Sequence, residues 1–221
     1  MPDINLITLT NPRSPASEAY RTLRTNLMFS SLDNPIRTLV ISSPAPGEGK
    51  STATANLAVT LAQAGHTTIL ADCDLRKPSQ HDIWGLDNEC GLTDMLIDAS
   101  ALENPPIQPT LIDGLYVLPT GKLPPSPADV LSSRRMGELI EFLTSKADYV
   151  LFDAPPVLAV TDAALLALKT DGLLLVLRAG TSRRDHAARA KEELERLKVP
   201  IIGTVLLNAP RDSALSTYYT R

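Results

Sequence analysis

The sequence predicts a single α/β domain with a mostly parallel central sheet and helices on both faces. Three observations predict it. Short, nearly continuous apolar runs recur along the chain, as in strands covered on both faces. Stretches of ten or more residues with helical periodicity separate them, so strand, helix and strand repeat as βαβ units. No composition break or internal repeat divides the 221 residues, a length that suits one large domain or two small ones.

Each element can be justified in order. A helix is expected over 14–31: Ser14 suits the N-cap and Pro15 the first turn. Ala16, Ala19, Tyr20, Leu23, Leu27 and Met28 fall near one of its faces. The run TLVI at 38–41 reads as the first strand. An Ala- and Leu-rich helix over 51–64 follows, with Gly65 as its C-terminal stop. Strands are expected at 67–70, 115–118, 149–152, 173–177 and 201–206. Amphipathic helices are expected at 133–146 and 183–198, the second with charge on its outer face. Residues 104–127 hold many of the 18 prolines. They read as loops around the 115–118 strand, because strand patterns continue on either side.

Composition excludes several classes. Hydrophobic residues are 43% and charged residues 21% of the chain, ordinary globular values. Apolar runs such as 173–177 are far below the roughly 20 residues of a membrane span. The first 30 residues carry no basic stretch followed by an apolar one, so no secretory signal is expected. Cys73 and Cys90 make neither a zinc site nor a disulfide framework. A net charge of −4 argues against a nucleic-acid binder. A cytoplasmic protein is the expectation. Aromatic residues are only 4%, yet Tyr218 and Tyr219 stand side by side near the C-terminus.

Three strand ends carry chemistry. The first strand runs into Ser43-Pro44-Ala45-Pro46-Gly47-Glu48-Gly49-Lys50-Ser51-Thr52 and then a helix. Strand, Gly-containing loop and helix is the context a phosphate-binding P-loop requires. Gly47 and Gly49 let the backbone approach an anion, and successive N–H groups plus the helix N-terminus attract it. Lys50 would reach the β- and γ-phosphates, Ser51 would place its hydroxyl on Mg2+, and Thr52 would donate to the α-phosphate. Position 44, where a generic P-loop has its first Gly, is Pro. The second strand ends in Asp72-Cys73-Asp74, two acids at the carboxyl edge of a parallel sheet, where ligands bind. They could face a Mg-nucleotide or merely cap a turn. The run Tyr149 to Phe152 followed by Asp153 has the Walker B pattern, whose Asp joins the Mg2+ shell. Asn208 closes the last strand. Its amide offers a donor and an acceptor to an adenine edge, or it is a turn residue before Ala209-Pro210.

Together these motifs resemble the bacterial tyrosine kinases of capsular and exopolysaccharide assembly, P-loop enzymes of the deviant-Walker group that also holds the MinD and ParA ATPases. The resemblance covers nearly the whole chain. Ser43 to Thr52 is similar to the S-x-x-P-G-E-G-K-S-T loop, Asp72 to Pro78 to the D-x-D-x-R-x-P motif, and Asp153-Ala154-Pro155-Pro156 to D-x-P-P. Leu118 to Gly121, Pro124 to Pro127 and Leu131 resemble the L-P-x-G…P-P-x-P…L-L segment. Glu18, Arg21 and Arg24 match E-x-x-R-x-x-R, which in that family mediates contact in a homo-oligomeric ring, an octamer among the expected sizes. Their helical spacing alone would suit a solvated, salt-bridged face.

The resemblance implies a P-loop NTPase fold and ATP-dependent autophosphorylation of tyrosine between subunits. By it, residues 1–35 carry the oligomerisation helix, 36–210 the kinase core and 211–221 a tyrosine-bearing tail. Pro46 to Thr52 and Asn208 bind ATP, and Ser51, Asp72 and Asp153 hold Mg2+. Lys50, Asp72, Asp74 and Asp153 are catalytic, with Asp72 the best candidate for accepting the phenolic proton. Tyr218 and Tyr219 are autophosphorylation sites, fewer than the family's usual tail. A membrane-bound activator would dock its cytoplasmic tail beside the nucleotide and recruit the chain to the inner face of the membrane. Two other readings stay open: a ParA/MinD-type ATPase switch, and a ring-forming assembly regulator without essential kinase activity. The first usually has a second Lys early in its loop, and positions 43–46 here are Ser, Pro, Ala and Pro.

Overall fold

The computed structural model describes residues 4–30 and 35–209. Seven strands form one sheet: β1 (Thr38–Ser42), β2 (Thr68–Asp72), β3 (Gln108–Pro109), β4 (Leu115–Leu118), β5 (Tyr149–Asp153), β6 (Gly172–Arg178) and β7 (Ile201–Leu207). Their spatial order is β3-β4-β2-β5-β1-β6-β7. Every pairing is parallel except that of β3 with β4. Each of the six longer strands was expected from its apolar run; two-residue β3 ends on a proline and gives no such signal.

Nine helices are described: α1 (Ile7–Thr10), α2 (Pro15–Phe29), α3 (Lys50–Gln63), α4 (Gln80–Trp84), α5 (Leu92–Ile97), α6 (Pro127–Ser132), α7 (Arg134–Lys146), α8 (Asp162–Ala167) and α9 (Arg184–Arg196). Strand alternation divides the core into two halves, because successive side chains point to opposite faces. In β1, Leu39 and Ile41 join Trp84, Leu57 and Leu61 on one face, while Val40 joins Leu139, Leu143 and Phe152 on the other. Helices α2 and α3 therefore cover one face and α7 to α9 the other, as expected. Residues Ala53 to Ala62 of α3 are all buried, the mark of a helix enclosed on every side.

Helix α2 starts as expected: the Ser14 hydroxyl accepts from the Ser17 amide at 3.2 Å, and Pro15 is its first residue. Its faces differ from expectation. Tyr20 and Leu27 are buried, but Ala16 and Ala19 are exposed. Periodicity identified an apolar stripe; only its inner part has a neighbour to pack against. Among the described residues, no helix is long and apolar enough to cross a membrane. Tyr218 and Tyr219 lie outside the described residues.

Candidate active site

Parallel register builds the site. Asp72 pairs with Asp153 across β2 and β5, and Ile41 of β1 pairs with Asp153 on the other side. The acids that end β2 and β5 are thus side by side at the carboxyl edge, next to the strand that feeds the P-loop. Apolar residues drive these strands into the core, so their terminal carboxylates are carried in with them: Asp72 and Asp153 are both 0% exposed.

The loop itself is shaped by two glycines. Gly47 and Gly49 have φ of +79° and +89°, a region that favours glycine. A side chain at Gly49 would also meet Leu207 Cδ1 at 2.8 Å. The amides that follow open the N-terminus of α3, a ready anion site. Glu48 is buried, and its carboxylate accepts from the Ala45 amide at 3.0 Å. It pins the loop from inside. Pro46 and Thr52 are exposed on the mouth, and Ser51 is half-buried.

Lys50 Nζ lies 2.9 Å from Asp74 Oδ2, 3.2 Å from Asp153 Oδ1 and 3.2 Å from Ser51 Oγ. Burial works against its ammonium, but Asp153 and Asp74 outweigh that and raise its pKa. Asp72 has the opposite problem. Burial and the neighbouring Asp153 push its carboxyl up to about 7, against the pull of the Gln80 and Ser79 amides and of Lys50. Asp72 Oδ1 accepts from the Asp74 amide at 3.1 Å, and Oδ2 accepts from the Ser79 and Gln80 amides at 2.8 Å each. Cys73 between the acids is fully buried, and burial pushes its thiol up. It is an inert packing residue.

The donors offered to a metal are hard oxygens: the Ser51 hydroxyl and the carboxylates of Asp153 and Asp72. Among the described residues, no group of three His, Cys, Asp or Glu could hold a metal alone. That donor set fits Mg2+, which is typically bound by one or two carboxylates plus substrate phosphates rather than by a protein cage.

Several contacts that shape the site escaped the sequence reading. Arg76 makes a two-point pair with buried Asp162, at 2.9 and 3.1 Å, and so ties the segment after β2 to α8. Thr120 Oγ1 donates to the Asp72 carbonyl at 2.9 Å. Gln80 Nε2 donates to Asp153 Oδ2 at 2.9 Å and to the Ser51 carbonyl at 3.1 Å. Each contact joins residues far apart in sequence. Arg76 and Thr120 fall inside motifs already noted, but the motifs do not give their partners; for Gln80 the local signal is the Gln80-x-x-x-Trp84 spacing, one helical turn.

Asn208 follows β7 with a φ of +53° and is exposed. Its side-chain carbonyl accepts from Arg178 Nε at 3.2 Å and Nη2 at 3.3 Å. It borders a groove of about 660 Å³ between α2 and β7, lined by Ala16, Ala19, Leu23 and Val205 among others. On α2, Glu18 pairs with Arg21, whose Nη2 also donates to the Pro12 carbonyl at 2.8 Å. Arg24 turns inward and donates to the Thr60 carbonyl of α3 at 2.9 Å.

The family model ParA, described as a NUBPL iron-transfer P-loop NTPase, matches residues 35–208. Tyrosine-protein kinase YwqD of Bacillus subtilis is 44% identical over 97% of this chain and 90% of its own length. The chain belongs to the bacterial tyrosine kinases, within the ParA-type P-loop NTPases. The solved kinase domain of Escherichia coli tyrosine kinase ETK superposes on this kinase with a TM-score of 0.89, at 32% identity, over 96% of this chain and 84% of that one. The septum site-determining protein MinD of Pyrococcus horikoshii, complexed with Mg-ADP, is more distant: TM-score 0.66, 28% identity, over 80% of this chain and 72% of that one. The fold is thus the nucleotide-binding one expected, and the kinases match more of the chain than MinD does.

Proposed function

We propose that this kinase transfers the γ-phosphoryl group of ATP to protein tyrosine, on Tyr218 and Tyr219 of a neighbouring copy first, and so regulates capsular or exopolysaccharide synthesis and export. The convergence of Lys50, Asp72, Asp74 and Asp153 over a P-loop carries this reading. On nucleotide binding, Lys50 would exchange its carboxylate partners for the β- and γ-phosphates. The amides from Gly47 to Thr52 would cradle the phosphates, and Asn208 would meet the base. Ser51 and Asp153, with Asp72, would hold Mg2+, which would supply charge neutralisation on the phosphates.

The phenolic oxygen bonds to the γ-phosphorus as the bond to the bridging oxygen breaks, ADP departs, and the phenolic proton passes to a carboxylate. Tyrosine ordinarily titrates at about 10, so it needs help at neutral pH. Asp72, pushed up to about 7, is the suited acceptor, since a general base works best with a pKa near the operating pH. Asp74 supports it by holding Lys50. Two of the described tyrosines are poor acceptors by position. Tyr20 is buried with its phenol pushed up to about 12 by burial, and Tyr149 opens β5 at the end away from Asp153.

The remaining parts of the proposal rest on the motifs. Residues 1–35, 36–210 and 211–221 would serve as assembly helix, core and substrate tail. Glu18, Arg21 and Arg24 would contact the next subunit of a ring, Arg24 by giving up or sharing its bond to Thr60. A membrane-bound activator would recruit the kinase to the inner face of the cell membrane. The test is mass spectrometry of purified protein incubated with Mg-ATP. Phosphate on Tyr218 and Tyr219, lost when both are changed to Phe, supports the reading. ATP consumption without phosphotyrosine would favour the ParA/MinD-type switch instead.

A further inference from the structure

We propose that Gln80 is a positioning residue for the divalent cation: it locks the Asp153 carboxylate in the orientation that receives the metal. The proposal rests on the reading of Ser51 and Asp153 as the groups that hold Mg2+. Gln80 is fully buried at the first position of α4. Its amide group donates to Asp153 Oδ2 and to the Ser51 carbonyl, its Oε1 accepts from Trp84 Nε1 at 3.2 Å, and its backbone amide donates to Asp72 Oδ2. One residue thus touches the end of β5, the first turn of α3, and the end of β2.

Chemistry fixes which way this amide points. An indole N–H can only donate, so Oε1 must face Trp84. The NH2 group is then forced toward Asp153 and the Ser51 carbonyl, two acceptors, and a flipped amide would set an acceptor against both. Trp84 is itself buried in the core on the α3 side of the sheet, which makes the lock rigid. With Oδ2 held by Gln80, Asp153 presents Oδ1 to the mouth of the loop. That oxygen now contacts Lys50, and it is the one vacated when Lys50 turns to phosphate. Without the lock the carboxylate is free to rotate and must be ordered by the cation itself. Partners of this kind around metal ligands typically contribute about 10–100-fold in metal affinity or activity.

The variant Gln80→Met keeps the length of the side chain and removes both donors. Trp84→Phe keeps Gln80 but removes the group that orients it. Binding of a fluorescent N-methylanthraniloyl ATP is measured across a Mg2+ titration and again in EDTA, with a thermal melt of each protein. The expected result is a Mg2+ half-saturation raised about tenfold or more in Gln80→Met and by less in Trp84→Phe, with affinity in EDTA unchanged. An unchanged half-saturation overturns the proposal. So does an equal loss with and without Mg2+, because a merely structural role would weaken both. If Gln80→Met does not fold, Trp84→Phe decides by the same criteria. Wild-type protein that binds nucleotide equally well with and without Mg2+ would overturn the assignment of Ser51 and Asp153, and the role of Gln80 with it.

Discussion

The centre and one edge of the sheet are built differently. Strands β1, β2 and β5 are buried almost throughout, and β2 and β5 end in carboxylates bonded by Lys50, Gln80 and the amides that follow β2. Strand β7 lies at the edge, is half-exposed along its length, and leads into an exposed Asn208 beside Arg178. The phosphate chemistry is therefore anchored in the core, where geometry is over-determined. The end that carries Asn208 borders an open groove between α2 and β7.

Matched substitutions in the two regions test this contrast. Leu151 in β5 is 1% exposed and Leu206 in β7 is 53% exposed. Leu151→Ala should cost about 2–5 kcal/mol in chemical denaturation, as large-to-small changes in packed cores do. The next effect is pH-dependent. Burial and Asp153 push the Asp72 carboxyl up to about 7 in the folded protein, above its ordinary value of about 3.9 when unfolded. Its contribution to stability is present in full below that lower value and is lost as pH rises through about 7. Asp72→Asn should flatten the decline of nucleotide-free stability between these values, as read by melts across pH. A parallel slope in the variant would assign the dependence to other groups. Smallest of all, Leu206→Ala should shift stability by less than about 0.5 kcal/mol. A large loss there would mean that β7 is as integral to the core as β5.

What could be read from sequence follows the same division. Strands buried on both faces appear as apolar runs, and the P-loop and its two acidic partners sit in local motifs at strand ends. Helices α4, α5, α6 and α8 have five or six residues each, too few for a helical period to emerge. The pairs Arg76–Asp162, Thr120–Asp72 and Gln80–Asp153 depend on register between distant strands and helices, which no local pattern encodes. Ala16 and Ala19 show the converse limit. Their spacing marks an apolar stripe but not whether another element covers it.

The most direct test of the active-site assignment is Lys50→Met, assayed by transfer of 32P from γ-labelled ATP to protein tyrosine under conditions where wild type is labelled. Removing a preorganised charge of this kind typically costs about 10²–10³-fold in rate, so labelling should fall by at least that much while the protein still folds. Phosphotyrosine that persists at the wild-type level in purified Lys50→Met protein would contradict the convergence of Lys50, Asp74 and Asp153 as the phosphoryl-transfer site.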